Sequence, residues 1–146
     1  MNKVIFKKAE SFCEAHKYRF TKPRAEVLKI ILSSNKPLGA YDILEQLAKT
    51  LNNPKPPTAY RAIEFWQEHG FVHKIESLSA YIACDADHRH QGSQFIICDN
   101  CGISIETHLC TLTKELKNSI LENTFTLSSW NLEIHGLCIK CIKNKT

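Results

Sequence analysis

No apolar run in the 146 residues approaches the length needed to cross a bilayer, which excludes a membrane-spanning helix. Residues 1–16 (MNKVIFKKAESFCEAH) lack the apolar core of a signal peptide, so a cytosolic protein with no membrane partner is expected. Internal repeats and low-complexity tracts are absent, which argues against solenoids and linker-like chains. Nothing in the chain supplies a nucleotide- or phosphate-binding loop. What remains has an ordinary globular composition, 43% hydrophobic and 23% charged, too apolar for a disordered chain. Its length suits one ordinary domain or two small ones.

Charge and cysteine are distributed unevenly. Residues 1–83 carry 13 Lys/Arg against 8 Asp/Glu, a net of +5, whereas residues 84–146 carry 6 against 7, a net of −1. An anionic partner would therefore meet the N-terminal half, and nucleic acid is the obvious candidate. Seven cysteines without a secretory signal point to metal or redox chemistry instead of a disulfide scaffold. Four of them form two CxxC pairs, Cys98/Cys101 and Cys138/Cys141, while Cys13, Cys84 and Cys110 stand apart.

The first half reads as helices with short breaks. Ile5, Ala9, Phe12, Cys13 and His16 recur at helical spacing. Thr21 precedes Pro23 as an N-cap, and Val27, Leu28, Ile31 and Leu32 form the buried stripe behind it. After a break at residues 35–39, Ile43, Leu44, Leu47 and Leu51 place a third helix over 40–51. The prolines of residues 52–57 (NNPKPP) exclude a helix interior, so a fourth helix is expected from near Thr58 to Gly70. Ala59, Ala62, Ile63 and Trp66 face inward on it, leaving Tyr60, Arg61 and Glu64 outward. Two β-type runs, 71–76 and 80–85, then flank Ser77-Leu78-Ser79 as a hairpin. The last three of these helices and the hairpin give the winged helix-turn-helix order, in which the last helix enters the major groove.

Residues 85–92 (DADHRHQG) form a polar, histidine-bearing boundary. Beyond it, 94–98 and 103–108 read as strands, Leu112, Leu116, Ile120 and Leu121 as an amphipathic helix, and 125–137 as a strand. The expected class is α+β: a winged-helix domain over 1–84, a hinge over 85–93, and an α/β domain with a four-cysteine site over 94–146.

Two CxxC turns complete a closed, tetrahedral zinc site of the structural type. A thioredoxin-like CxxC would instead open a helix after a strand, whereas Cys98-Asp-Asn-Cys101-Gly sits between strands and the second pair lies near the C-terminus. A second constellation, His73, Cys84, His88, His90 and Glu106, gathers around the boundary. Taken singly, each also has a structural explanation: a strand histidine, a small buried thiol, a solvated glutamate.

At these residues the chain resembles the ferric uptake regulator family, and within it the zinc uptake regulator branch. The resemblance covers nearly the whole chain. It is carried by Phe20-Thr21-Lys22-Pro23-Arg24, Ala40-Tyr41-Asp42-Ile43-Leu44, Lys55-Pro56-Pro57-Thr58-Ala59-Tyr60-Arg61, Gly70-Phe71-Val72-His73-Lys74-Ile75, Phe95-Ile96-Ile97-Cys98-Asp99-Asn100-Cys101-Gly102 and His135-Gly136-Leu137-Cys138. It implies a homodimeric, metal-dependent repressor acting on a double-stranded DNA operator, with 94–146 as the dimerisation domain and DNA contacts among Tyr41, Thr58, Tyr60 and Arg61. It also implies structural zinc on Cys98, Cys101, Cys138 and Cys141, and regulatory zinc on His73, Cys84, His90 and Glu106. A thiolate in the second set suits zinc better than iron(II) or manganese. The spacing of the linker differs from that of relatives, so His88 or Asp87 could replace His90. Trp130 stands where many relatives carry a histidine, and the histidine-rich tail of some relatives is absent. The same fold sensing iron, manganese, nickel or peroxide is the alternative. A thiol oxidoreductase or a zinc-stabilised interaction module would be readings from other classes.

Overall fold

The computed structural model describes residues 2–84, 92–107 and 111–144. They fall in two compact units, Met1–Asp85 and Ala86–Thr146.

In the first unit, Asn2 accepts from the Val4 and Ile5 amides and starts α1 (Lys3–Ala15). Thr21 caps α2 (Lys22–Ser33) by accepting from the Arg24 amide, as its position before Pro23 predicts. Helix α3 (Ala40–Leu47) opens with the Asp42 carboxylate accepting from the Gly39 amide at 3.1 Å. It stops four residues short of the expected end, because the Leu47 carbonyl takes both the Thr50 and Leu51 amides in a closing turn. Helix α4 (Pro56–Glu68) starts two residues earlier than expected. Pro56 and Pro57 occupy its first turn, where a missing N–H breaks no intrahelical bond. The helix ends before Gly70, which has φ 81°.

Strands β2 (Val72–Ile75) and β3 (Ala80–Ala83) form the expected hairpin, closed by a 3-10 turn over Glu76–Leu78. A short strand β1 (Leu38–Gly39) adds to β3, giving the order β1-β3-β2 with antiparallel pairing. Two residues are too few to show alternation, so the sequence presents that segment only as a break. Four helices and this sheet enclose Trp66, Leu28, Val27, Ile43, Leu47, Ile63 and Val72. The Trp66 indole N–H donates to the Arg24 carbonyl at 2.8 Å, and the Arg24 guanidinium lies 3.6 Å from the Phe65 ring centre. Arg24 therefore ties α2 to α4.

In the second unit, β4 (Gly92–Cys98) is the central strand, antiparallel to β5 (Ser104–Glu106) and parallel to β6 (Trp130–Gly136). Strand β4 begins at Gly92, two residues before the expected onset and inside the segment expected to be hinge. Gly92 pairs with Trp130, whose indole occupies the space a side chain at residue 92 would need. Helix α5 (Lys114–Glu122) is capped by Thr113 and lies between β5 and β6 in the chain. Residues 125–129 precede β6 without strand pairing, so that strand is shorter than expected. A further helix, α6 (Ile139–Lys143), holds Cys141; its five residues show too little periodicity to be read from sequence. Among the described residues no helix is long and apolar enough to cross a membrane.

Candidate metal centre and nucleic-acid interface

The first CxxC closes the end of β4. Cys98 is the last residue of the strand, and its amide donates to the Ile103 carbonyl at 2.9 Å. The Cys98 carbonyl accepts from the Gly102 amide at 2.9 Å, and Gly102 turns with φ +72°, a conformation that disfavours any side chain. The second CxxC straddles the start of α6: Cys138 is its N-cap and Cys141 is its middle residue. Because β4 and β6 are parallel neighbours, with Cys98 opposite Gly136, the two turns are brought to the same end of the sheet. One sulfur from each of Cys98, Cys101, Cys138 and Cys141 lies within 4.8 Å of every other.

Hydrogen bonds to sulfur knit the quartet. The Cys138 amide donates to Cys98 Sγ at 3.3 Å, the Asn100 side-chain amide donates to Cys141 Sγ at 3.3 Å, and Cys101 Sγ lies 3.8 Å from Cys138 Sγ. The amides of Cys138 and Cys101 hold the Cys98 thiol down to about 6, against its burial. At Cys141 the Asn100 amide acts downward, but the Cys138 hydrogen bond, burial and the remaining thiols carry the thiol up to about 11. Amide donors thus favour the thiolate at Cys98, whereas the neighbouring thiols oppose it at Cys141. Four closely spaced sulfurs with no carboxylate in the set fit zinc(II) and not a hard, oxygen-seeking ion.

Beside the quartet, His135 on β6 holds a carboxylate on each ring nitrogen. Nδ1 lies 2.9 Å from Asp99 and Nε2 lies 3.3 Å from Glu133. Both contacts, Asp99 first, push the imidazole above its usual pKa. From the sequence alone, Asp99, Asn100 and His135 carry no site role. The one available signal is that both residues inside the first CxxC are polar and can form hydrogen bonds.

In the first unit, His73 lies on β2 opposite Ile82, and Cys84 follows β3, its amide donating to the Phe71 carbonyl at 2.9 Å. This hairpin brings a His73 ring nitrogen within 4.8 Å of Cys84 Sγ. Cys84 is buried. Glu106 closes β5 in the second unit. His90, with its alternatives His88 and Asp87, lies outside the described residues.

The DNA-contact candidates occupy two helix starts of the first unit. Tyr41, in the first turn of α3, is 82% exposed. On α4, Thr58 is half-buried, Tyr60 is 43% exposed and Arg61 is exposed, while Ala59, Ala62 and Ile63 on the other face are buried. Core packing thus fixes α4 by one face and turns Tyr60 and Arg61 to the other.

Comparison with known proteins places this arrangement. The zinc uptake regulation protein of Escherichia coli (strain K12) is 33% identical over 141 residues, covering 95% of this chain and 82% of that one. The peroxide operon regulator of Bacillus subtilis (strain 168) is 27% identical over 130 residues, covering 87% of this chain and 86% of that one. A solved zinc uptake regulator complexed with zinc and DNA matches with a TM-score of 0.86 and 32% identity, covering 98% of this chain and 96% of that chain. The model of the ferric uptake regulator family matches residues 15–135. The chain belongs to the ferric uptake regulator family.

Proposed function

We propose that this chain is a zinc-responsive transcriptional repressor that binds operator DNA as a homodimer in the cytoplasm and carries out no catalysis. The observation that carries the proposal is the exposed Tyr60–Arg61 pair on a core-anchored helix. It sits in the half of the chain with the net positive charge, and the similarity to a zinc- and DNA-bound regulator extends over nearly the full length. An arginine on a recognition helix reads guanine by a bidentate contact, and a helix start can reach base edges in the major groove. Tyr41 and Thr58 would flank that contact, and Lys22 and Lys55 would add salt-dependent contacts to phosphate.

The four-cysteine quartet would hold a structural zinc, which supplies cross-linking energy to a unit with little core of its own. The regulatory zinc would be held by His73, Cys84, His90 and Glu106. His73 and Cys84 are already paired by the β2–β3 hairpin, and an N/S donor pair favours zinc over iron(II) or manganese(II). With ligands from both units, zinc occupancy would bear on how the winged helices of a dimer are spaced. Zinc affinity and DNA affinity would then be reciprocally coupled.

The homodimer has its own support. Ile105, Ile96 and Ile134 stand side by side across β5, β4 and β6, at 56%, 45% and 50% exposure. A contiguous isoleucine stripe across a sheet is the kind of surface a second copy buries.

Fluorescence anisotropy with labelled duplex tests the proposal. Binding should be lost when zinc at the His73–Cys84 site is chelated and restored by zinc readdition. Chelation-resistant binding would remove the zinc-responsive reading. Restoration by manganese(II) or iron(II) but not by zinc would favour a sensor of another metal on the same fold.

A further inference from the structure

We propose that Asp99 and Asn100, the two residues enclosed by the first CxxC, brace the second cysteine pair and set how long the four-cysteine zinc is retained. The inference rests on the zinc assignment of that quartet and adds two residues that touch no metal.

The geometry is specific. Two successive side chains leave one tight turn and reach two different elements. The Asp99 carboxylate receives the His135 ring N–H at 2.9 Å, on the last part of β6, and the Asp99 amide donates to the Gly136 carbonyl at 2.8 Å. The Asn100 amide donates to Cys141 Sγ at 3.3 Å, on α6. Residues 135–136 and residue 141 lie on either side of Cys138. The turn that supplies Cys98 and Cys101 therefore also grips the chain just before the other pair and that pair's second cysteine.

This arrangement does two things chemically. An N–H donated to a thiolate withdraws charge from a sulfur in a centre that carries four negative ligands on one dication, and so opposes protonation or loss of that ligand. The Asp99–His135 contact fixes the direction in which the chain leaves β6 to enter the second pair. Loss of either should let one cysteine of the second pair dissociate more often, which is the first step of zinc release. Asn100 is a positioning residue, and so is Asp99.

The test uses the full chain carrying Cys84→Ser, so that only the four-cysteine ion reports. Zinc transfer to a chromophoric chelator is timed, and the thiolate-to-cobalt charge-transfer band is recorded after cobalt(II) substitution. Asn100→Ala should speed zinc loss roughly fivefold, the worth of one hydrogen bond of this kind. It should also move the charge-transfer band to lower energy, because the Cys141 sulfur lone pair is no longer stabilised. The ligand-field bands should remain those of a tetrahedral ion. Asn100→Asp, which removes the donor and adds a charge, should exceed both effects, and Asn100→Gln should restore part of each. His135→Ala, which removes the donor to Asp99 and does not touch the quartet, should speed release without moving the band. A purely structural role would not separate the two readouts in this way. Wild-type release rates and an unmoved band in Asn100→Ala and Asn100→Asp would overturn the inference. Absence of any thiolate-to-cobalt band before these substitutions would remove the four-cysteine assignment itself, and the inference with it.

Discussion

The two units of this chain are stabilised by different means. The first closes around a continuous apolar core in which Trp66, Leu28, Ile43, Leu47, Ile63 and Val27 are fully buried. The second buries Phe95 and Ile97 on one sheet face, together with Gln94, Ser104 and two of its cysteines. None of the described residues of α5 is buried, and Leu121 and Phe125 are each 72% exposed. Small units that bury this little apolar surface need a cross-link, a metal or a partner. The second unit has the quartet for one of these and the exposed isoleucine stripe for another. The first unit should therefore fold without metal, whereas the second should depend on its structural zinc.

The largest effect that would break this contrast is loss of the quartet. Cys138→Ser, or removal of its zinc, should unfold the second unit, since a structural zinc contributes on the order of 10 kcal/mol at neutral pH. Hydrogen exchange followed by region should show β4–β6 losing protection while α2 and α4 keep theirs. A folded, dimeric Cys138→Ser protein would end the contrast. Trp66→Ala should produce the complementary result, a loss of about 3–5 kcal/mol of first-unit stability. Denaturant unfolding should find that loss unchanged by zinc.

Smaller effects sharpen the functional side. Arg61→Ala should cost about 1–3 kcal/mol of preference for operator over random duplex. Lys55→Gln should instead weaken both duplexes alike and lower the slope of log affinity against log salt by about 1. Competition binding at two salt concentrations separates the two.

The smallest effect concerns His135. Its folded pKa is raised by Asp99 and then Glu133, so its charged form is favoured by the fold. That contribution to stability is complete below the unfolded value of about 6.5 and is lost as pH rises through the folded value. An imidazole NMR titration should show the elevation shrinking in Asp99→Asn, which keeps an acceptor but loses the charge.

Much of this was legible in the sequence, for physical reasons that also explain the exceptions. The stripe Val27, Leu28, Ile31 and Leu32 and the inward set Ala59, Ala62, Ile63, Trp66 have helical period, and all are buried except Leu32, which is half-buried. Thr21 before Pro23 marks a helix start by local chemistry alone, and it caps α2. The two CxxC pairs announce a four-sulfur cluster because each turn already points two thiols one way. Elsewhere tertiary context decided. The two-residue β1 exists only because β3 offers it an edge, and the early onset of β4 depends on Trp130, 38 positions after Gly92 in the chain. Helix α4 begins on two prolines that read equally well as the end of a loop. The links from Asp99 to His135 and from Asn100 to Cys141 span 36 and 41 residues, and no local pattern encodes them.

The most direct test of the account is a buffered zinc titration of the purified protein, with zinc content and duplex binding measured on the same samples. Two zinc ions per subunit are predicted, one retained throughout and a second whose occupancy rises in step with DNA binding, with manganese(II), iron(II) and nickel(II) failing to substitute. One retained zinc per subunit, with DNA binding indifferent to added zinc, would contradict the sensor. The four-cysteine centre would then stand alone, and the regulatory signal would belong to another metal or to an oxidant.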